Sequence, residues 1–357
     1  MNEIFNNLFV LELANNHWGS VERGKQIIKD FAHIVVKNKV RASIKLQFRD
    51  VDNFVHVDSI SDGKDLDLST LQKRERYIQK TLRTKLSFDD LSILVSYIKN
   101  LGCIPMATPF DEKSVEWCCQ LGISIIKVAS SDINDWFLLN KIAETKKPVI
   151  ISTGGANDKQ IDDVVKFFNN RNIPLAINHC VSKYPTEDFD LELNQIDYLK
   201  LKYPNNVIGF STHEYGDWES SIFISYAKGA RTWERHIDIS YPENHEQKEV
   251  SKYCSLPSQI DTWFKAYHKA ELMCGSYDNK RRIIDDKESK YLFSLYRGLY
   301  LLKDLPIGHK LTSEDVYAAI PYQKEINQIT SREFANNYYV LNKDLKKNSP
   351  LTSGDIK

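Results

Sequence analysis

The sequence has little cysteine, no net charge and no long hydrophobic run, and each absence closes off a class of protein. Its six cysteines, Cys103, Cys118, Cys119, Cys180, Cys254 and Cys274, show no CxxC spacing, which argues for reduced core thiols over a zinc ribbon or a disulfide scaffold. With 48 basic against 48 acidic side chains, no bulk attraction draws the chain to nucleic acid or a membrane surface, although a local basic patch still binds an anion. No apolar run approaches the ~20 residues of a spanning helix, and no basic segment followed by an apolar one opens the chain, so a cytoplasmic protein is expected. The glycine-rich turn that marks an open dinucleotide-binding sheet is also missing after the first strand. A small molecule is the partner these absences leave.

What is present is one pattern repeated eight times, a short apolar run ending in reactive polar side chains. VLELA ends near Glu12, ASIKLQF carries Lys45 and Gln47, CIPMATPFD ends in Thr108 and Asp111, and IIKVASSD carries Lys127, Ser130 and Asp132. PVIISTGG follows with Ser152 and Thr153, PLAINHC with Asn178 and His179, VIGFSTH with Ser211 and His213, and ARTWERHI with Glu234 and His236. A buried strand is normally apolar throughout, so a lysine, carboxylate or imidazole near its end needs a local reason. Helical periodicity between the runs, at 21–37, 88–101, 113–121, 158–168, 191–202, 218–228 and 257–273, makes strand and helix alternate. That alternation predicts a (β/α)8 TIM barrel, whose chemistry collects at strand C-terminal ends. Ser87 with Asp90 reads as a helix capping box and Asp111 as a helix cap. Residues 52–86 form one long charged connection of the kind that covers an active site or stays disordered.

Three regions are expected: a barrel at 1–275, a charged linker at 276–290 and a small module at 291–357. Within the module Lys303, Asp304, Leu311, Thr312 and Asp315 return 40 positions later as Lys343, Asp344, Leu351, Thr352 and Asp355. Such a repeat predicts a pseudo-symmetric β-rich unit.

His213 and His236 end adjacent strands, so a closed barrel brings their imidazoles toward metal-ligand range, with Glu234 or Glu12 nearby and positions left for water and substrate. His179 is either a third ligand or a hydrogen-bonding neighbour. Lys45 and Lys127 lie inside apolar strands, where an unpaired ammonium is costly. Their partner is either a phosphate or carboxylate of a substrate, helped by Thr108, Ser130, Ser152 and Ser211, or a buried carboxylate such as Glu12, Asp111 or Glu234. A Schiff base at Lys127 is a further reading. A Cys180–His179 pair is opposed by geometry, because strand neighbours face opposite ways.

These residues resemble the sialic acid synthases, which condense phosphoenolpyruvate with N-acetylmannosamine or related sugars. The likeness runs through E-x-x-x-N-H at 12–17, K-x-Q at 45–47, ATPFD at 107–111, IKVAS-x-D at 126–132, KP-x-x-x-STG at 147–154, HC-x-x-x-YP at 179–185, G-x-S-x-H at 209–213 and E-x-H at 234–236. The segment YRGLY-x-x-KD-x-x-x-G-x-x-L from Tyr296 is similar to the family's antifreeze-like (SAF) domain. The resemblance implies that His213 and His236 bind Mn2+, with Mg2+ or Co2+ as alternatives. It also implies that Lys45, Thr108, Lys127, Ser130, Ser152 and Ser211 hold phosphoenolpyruvate and that Glu12, Glu234 and Lys127 serve catalysis. By the same likeness Gln47, Asp132, Ser182 and Tyr184 contact substrate, and Arg297 reaches an N-acetyl group across a domain-swapped homodimer. The chain departs from the family pattern at 240–257, which lacks a glycine and aspartate segment, and at Ala319 and Ile320, where a basic pair is usual. Both departures fall on the acceptor side. Two other functions stay open: a synthase of shorter keto-deoxy acids, needing an extra basic site for a phosphorylated sugar, and a catalytically silent sugar binder.

Overall fold

The structure is a computed structural model that describes residues 3–56, 68–243, 245, 247, 249–276 and 280–357. Eight parallel strands form its centre: β1 (Leu8–Ala14), β2 (Arg41–Phe48), β3 (Ile104–Pro109), β4 (Ile125–Val128), β5 (Val149–Ser152), β6 (Leu175–Cys180), β7 (Val207–Thr212) and β8 (Thr232–Ile237). Each pairs with the next, and β1 also pairs with β8, with Glu12 opposite His236, so the sheet closes on itself. This is the expected (β/α)8 barrel.

Period two along the strands explains how one ring is apolar at one end and reactive at the other. Leu8 and Val10 of β1, with Phe5, Met106, Ile125, Ile150 and Ala176, form a dry interior cluster. The next residues on the same faces are Glu12, Thr108, Lys127, Ser152 and Asn178, all buried, with Cys180 two positions further along β6. The alternate positions, such as Phe9, Leu11 and Leu13, pack outward against the helices in the main core. Phe9 there meets Trp263, Phe264 and Tyr267 edge-on at 4.9, 4.9 and 5.0 Å. Burying one such ring stabilises the fold by about 1.5–3 kcal/mol.

Helices occur in all seven expected places, with boundaries shifted by a few residues; the one expected at 191–202 starts late, as Gln195–Lys202, after a short 3-10 turn Asp188–Asp190. Ser87 and Asp90 make the reciprocal capping box of the helix Phe88–Asn100. Asp111 caps Glu112–Gln120 by accepting the Ser114 N–H at 2.7 Å. Further helices lie where none was expected, and two of them bear on the barrel. Trp136–Glu144 connects β4 to β5, capped by Asp135 and burying Leu138, Leu139, Ile142 and Ala143. Leu68–Arg83 occupies much of the long connection at 52–86, of which 57–67 lies outside the described residues.

The chain divides into two compact units, Met1–Gly275 and Ser276–Lys357. The helix Asp286–Ser294 begins inside the stretch expected as linker. The second unit contains an antiparallel pair, Gly298–Leu301 with Val316–Ala319, and its 40-residue repeat has a geometric counterpart. Leu305 and Leu345 exchange both backbone hydrogen bonds at 2.9 Å. Asp304 accepts the Lys347 N–H while Asp344 accepts the Ile307 N–H. Lys303 pairs with Asp315 as Lys343 pairs with Asp355. Leu301 and Leu341 are fully buried between the copies. All six cysteines are free, four buried and two, Cys119 and Cys274, exposed.

Candidate active site

A cavity of about 720 Å3 opens at the C-terminal ends of the strands. Of the residues singled out from sequence, Glu12, Lys45, Gln47, Thr108, Lys127, Ser130, Ser152, Ser182, Tyr184, Ser211, His213, Glu234 and His236 line it. Lys45 and Gln47 alternate along β2 to face the cavity, as Glu234 and His236 do along β8. Ser211 and His213 repeat the arrangement at the end of β7.

Lys45 is the hub of the buried charges. Its ammonium pairs with Glu12 and, at 2.9 Å, with Glu234, and donates to Thr108 Oγ1 at 3.1 Å. Of the two partners open to this lysine, the structure therefore supplies carboxylates. Although burial works against its charge, Glu12 and Glu234 hold Lys45 above the usual lysine range. The carboxylates themselves diverge. Burial pushes Glu12 up, whereas in Glu234 the same burial is outweighed by Lys127 and Lys45, which hold it down. Two carboxyl groups with opposed proton affinities beside one cavity are suited to separate acid and base roles.

Lys127 differs from Lys45. It donates to Ser152 Oγ at 2.7 Å and to the Val128 carbonyl at 3.1 Å, makes no ion pair among the described residues, and burial lowers its proton affinity. An anion entering beside Ser152, Ser130 and Ser211 meets a desolvated cation that has no direct ion pair among the described residues.

His213 and His236 stand with ring centroids 5.3 Å apart. Burial pushes His213 down to about 4 and His236 well below its ordinary value, so both are neutral imidazoles at neutral pH. His213 Nδ1 lies 3.0 Å from the Val181 carbonyl; with its N–H directed there, Nε2 keeps its lone pair. The rings of Tyr184 and Tyr253 pack beside the pair. Among the described residues no cluster of three His, Cys, Asp or Glu side chains forms a closed metal cage. The donor set fits an ion that takes two nitrogens from protein and fills its other positions from water and substrate.

Three expected residues lie elsewhere. His179 is turned away, its Nε2 2.7 Å from the Leu191 carbonyl and its ring stacked on Phe210, so it is neither a third ligand nor a neighbour of the two site histidines. Cys180 faces the cavity instead, and burial raises its thiol; alternation along β6 separates the two. Asp132 sits behind the wall, accepting from Ser131 at 2.8 Å, with burial raising it to about 6. Arg297 belongs to the second unit.

The cavity also contains residues that sequence reasoning passed over. Gly154 leaves room for Ser182 and Ser130, whose hydroxyls would lie 2.1 and 2.8 Å from a Cβ there. Arg49 extends the alternation of Lys45 and Gln47, a readable signal. Tyr77, Lys80 and Thr81 come from one face of the helix Leu68–Arg83; their i, i+3, i+4 spacing was visible, but not what that face covers.

Comparison with known proteins places the chain among relatives. A pseudaminic acid synthase of Campylobacter jejuni is 26% identical over 97% of this chain and 96% of its own length. An N-acetylneuraminate-9-phosphate synthase of Drosophila melanogaster is 31% identical over 70% of this chain, and the match spans 64% of that protein. A solved structure from Chromobacterium violaceum, described as a spore coat polysaccharide biosynthesis protein E, superposes with a TM-score of 0.85 at 33% identity, covering 98% of this chain and 99% of that one. Residues 35–279 match the profile of the NeuB family. With that match spanning most of the barrel, the chain belongs to the NeuB family.

Proposed function

We propose that this protein condenses phosphoenolpyruvate with an N-acyl amino sugar, N-acetylmannosamine or a related hexosamine derivative, to give a nine-carbon 2-keto-3-deoxy acid and phosphate. The observation that carries the reading is a single cavity with two unlike halves, joined by the Glu12–Lys45–Glu234 cluster: Lys127, without an ion pair among the described residues, beside serine hydroxyls, and two neutral imidazoles.

Lys127, Ser130, Ser152 and Ser211 hold the anionic groups of phosphoenolpyruvate, with Thr108 and Lys45 beside them. C3 of phosphoenolpyruvate forms the new bond to the aldehyde carbon of the open-chain sugar. Glu12, whose proton affinity burial raises, is the group placed to deliver a proton to the oxygen that becomes the alcohol. Water adds at C2, and Glu234 accepts its proton; the C2–O bond to phosphate then breaks and the ketone forms. His213 and His236 are the residues that would hold a divalent ion of the manganese type, with magnesium or cobalt as alternatives, which when bound supplies Lewis-acid polarisation of the aldehyde oxygen. Gln47 and Tyr184 belong to the acceptor side, with Asp132 behind them, and Ser182 contacts substrate from the cavity wall. The proposal includes a domain-swapped homodimer in which Arg297 reaches the N-acyl group of an acceptor held by the partner's barrel.

The test is phosphate release from phosphoenolpyruvate across a panel of N-acyl amino sugars, with and without divalent metal, and mass spectrometry of the products. Release that requires both sugar and metal, and that drops by at least 100-fold in Lys127→Met, is the expected result. No release with any sugar and any metal overturns the reading.

A further inference from the structure

A second cavity, of about 490 Å3, lies between the connection that follows β6 and the helix Ser220–Ala227, and it shares no lining residue with the active-site cavity. Four carboxylates line it, Asp188, Glu192, Glu214 and Asp217, against a single cation, Lys228. Lys228 is already engaged, its ammonium 2.5 Å from Asp197. Asp188 and Glu192 are exposed and make no ion pair among the described residues.

Glu214 is the member of this set that lacks a donor. It is only 2% exposed. Its Oε1 accepts from the Ser221 hydroxyl at 2.5 Å and from Arg235 Nη1 at 2.6 Å, whereas Oε2 is buried without a hydrogen-bond partner. The same guanidinium donates to the Glu214 carbonyl and the Ser255 hydroxyl, which fixes its orientation. A desolvated carboxylate oxygen without a donor is unfavourable. Glu214 and Ser221 both line the pocket, so the pocket is the side from which a donor arrives. Asp217 comes from the same connection as Glu214 and is fixed by capping the helix, its Oδ1 accepting the N–H groups of Glu219 and Ser220 at 2.7 and 3.1 Å.

These charges select the class of ligand. Their sign excludes an anion, and among the described residues no three such side chains converge as a metal cage requires. The carboxylates come instead from two connections, Asp188 and Glu192 after β6 and Glu214 and Asp217 after β7, while Leu191, Leu193 and Ile224 supply apolar wall. Negative charges set apart on an apolar surface match a cation whose own charges are spaced by methylene groups. We infer that this pocket binds a linear aliphatic polyamine, one ammonium at Glu214 and Asp217, another at Asp188 and Glu192, and the methylene chain on the apolar wall. An ammonium carries three donors and no acceptor, which suits the unmet Glu214 oxygen. The site does not depend on the synthase reading, because none of its residues takes part in it.

The test is calorimetric titration of the full chain with spermidine at physiological ionic strength, with n-butylamine, Mg2+ and tetralysine as comparison probes. Acidic and basic side chains are equal in number, so no bulk attraction draws a polycation and a saturable one-to-one isotherm reports a built site. Spermidine is expected to bind about tenfold or more tightly than n-butylamine or Mg2+. Asp188→Asn combined with Glu192→Gln should weaken it by about tenfold or more. Ile224→Lys, at a position 44% exposed on the pocket wall, should do the same by placing an ammonium there. Both variants change exposed residues, so their melting temperatures without ligand should equal the parent's. Absence of saturable binding, an equal affinity for n-butylamine or Mg2+, or unchanged spermidine affinity in either variant overturns the inference. Tighter binding of tetralysine than of spermidine also overturns it, and assigns the pocket to a basic protein segment instead.

Discussion

At the residue scale, the cavity wall depends on side chains whose ordinary chemistry has been altered by burial. Asp132 is the clearest case for measurement, since desolvation raises it from 3.8 to about 6. A carboxyl that holds its proton more tightly folded than unfolded contributes stability that is fully present below pH 3.8 and lost as pH rises through about 6. Asp132→Asn should therefore melt at higher temperature than the parent at pH 7, by about 2 kcal/mol in stability after solvent screening is allowed for, with the gain shrinking to nothing near pH 4. Equal melting temperatures at pH 7 would contradict the buried-acid assignment. Gly154 supplies a second test. A Cβ there displaces the Ser182 and Ser130 hydroxyls, which rotate without moving the backbone, so Gly154→Ala should fold normally yet weaken phosphoenolpyruvate binding about tenfold. Gly209→Ala is its contrast, because that Cβ meets the Thr232 carbonyl at 2.6 Å, and loss of soluble protein is expected.

At the element scale, strand alternation and helix capping do most of the positioning. Each strand shares one face between an apolar residue below and a reactive one above, so a register slip would turn the reactive set outward at once. The helix Trp136–Glu144 fixes the β4–β5 connection beside Lys127, and its Asp135 cap accepts the Leu138 N–H at 3.1 Å. Asp135→Ala should cost about 1 kcal/mol, read as a lower urea midpoint with an unchanged slope; no shift would mean that packing of Leu138, Leu139, Ile142 and Ala143 alone holds the helix. The signal for that helix was present in the sequence, in a capping aspartate followed by apolar residues at helical spacing. It was masked by the polar end of the strand before it, SSDIND, which reads as loop.

At the scale of the whole molecule, two units with separate cores respond to acid in different ways. In the second unit Asp315 is held below the usual carboxylate range, burial being outweighed by His309, the Thr312 N–H and Lys303, and Asp355 is held down likewise by Lys343 and Thr352. Their contribution is present above about pH 4, where the unfolded carboxyl is ionised, and is lost as pH falls. Amide exchange at Leu305 and Leu345, corrected for its intrinsic pH dependence, should accelerate as pH falls below about 4, and Asp315→Asn with Asp355→Asn should flatten that response; a steep response in the double variant would refute the link. The sequence by itself determined the barrel, because eight apolar runs with period-two faces and intervening helical periods admit few other ways to bury their surface. It also determined most of the cavity wall, since strand ends in a closed parallel ring must face one another. Only the tertiary structure decided that Lys45 is tied to Glu12 and Glu234 while Lys127 is not, that His179 turns away where Cys180 turns in, and that Arg49 and Lys80 line the same cavity. Those outcomes depend on distances between strands and on the path of the helix Leu68–Arg83, which local spacing along the chain does not encode.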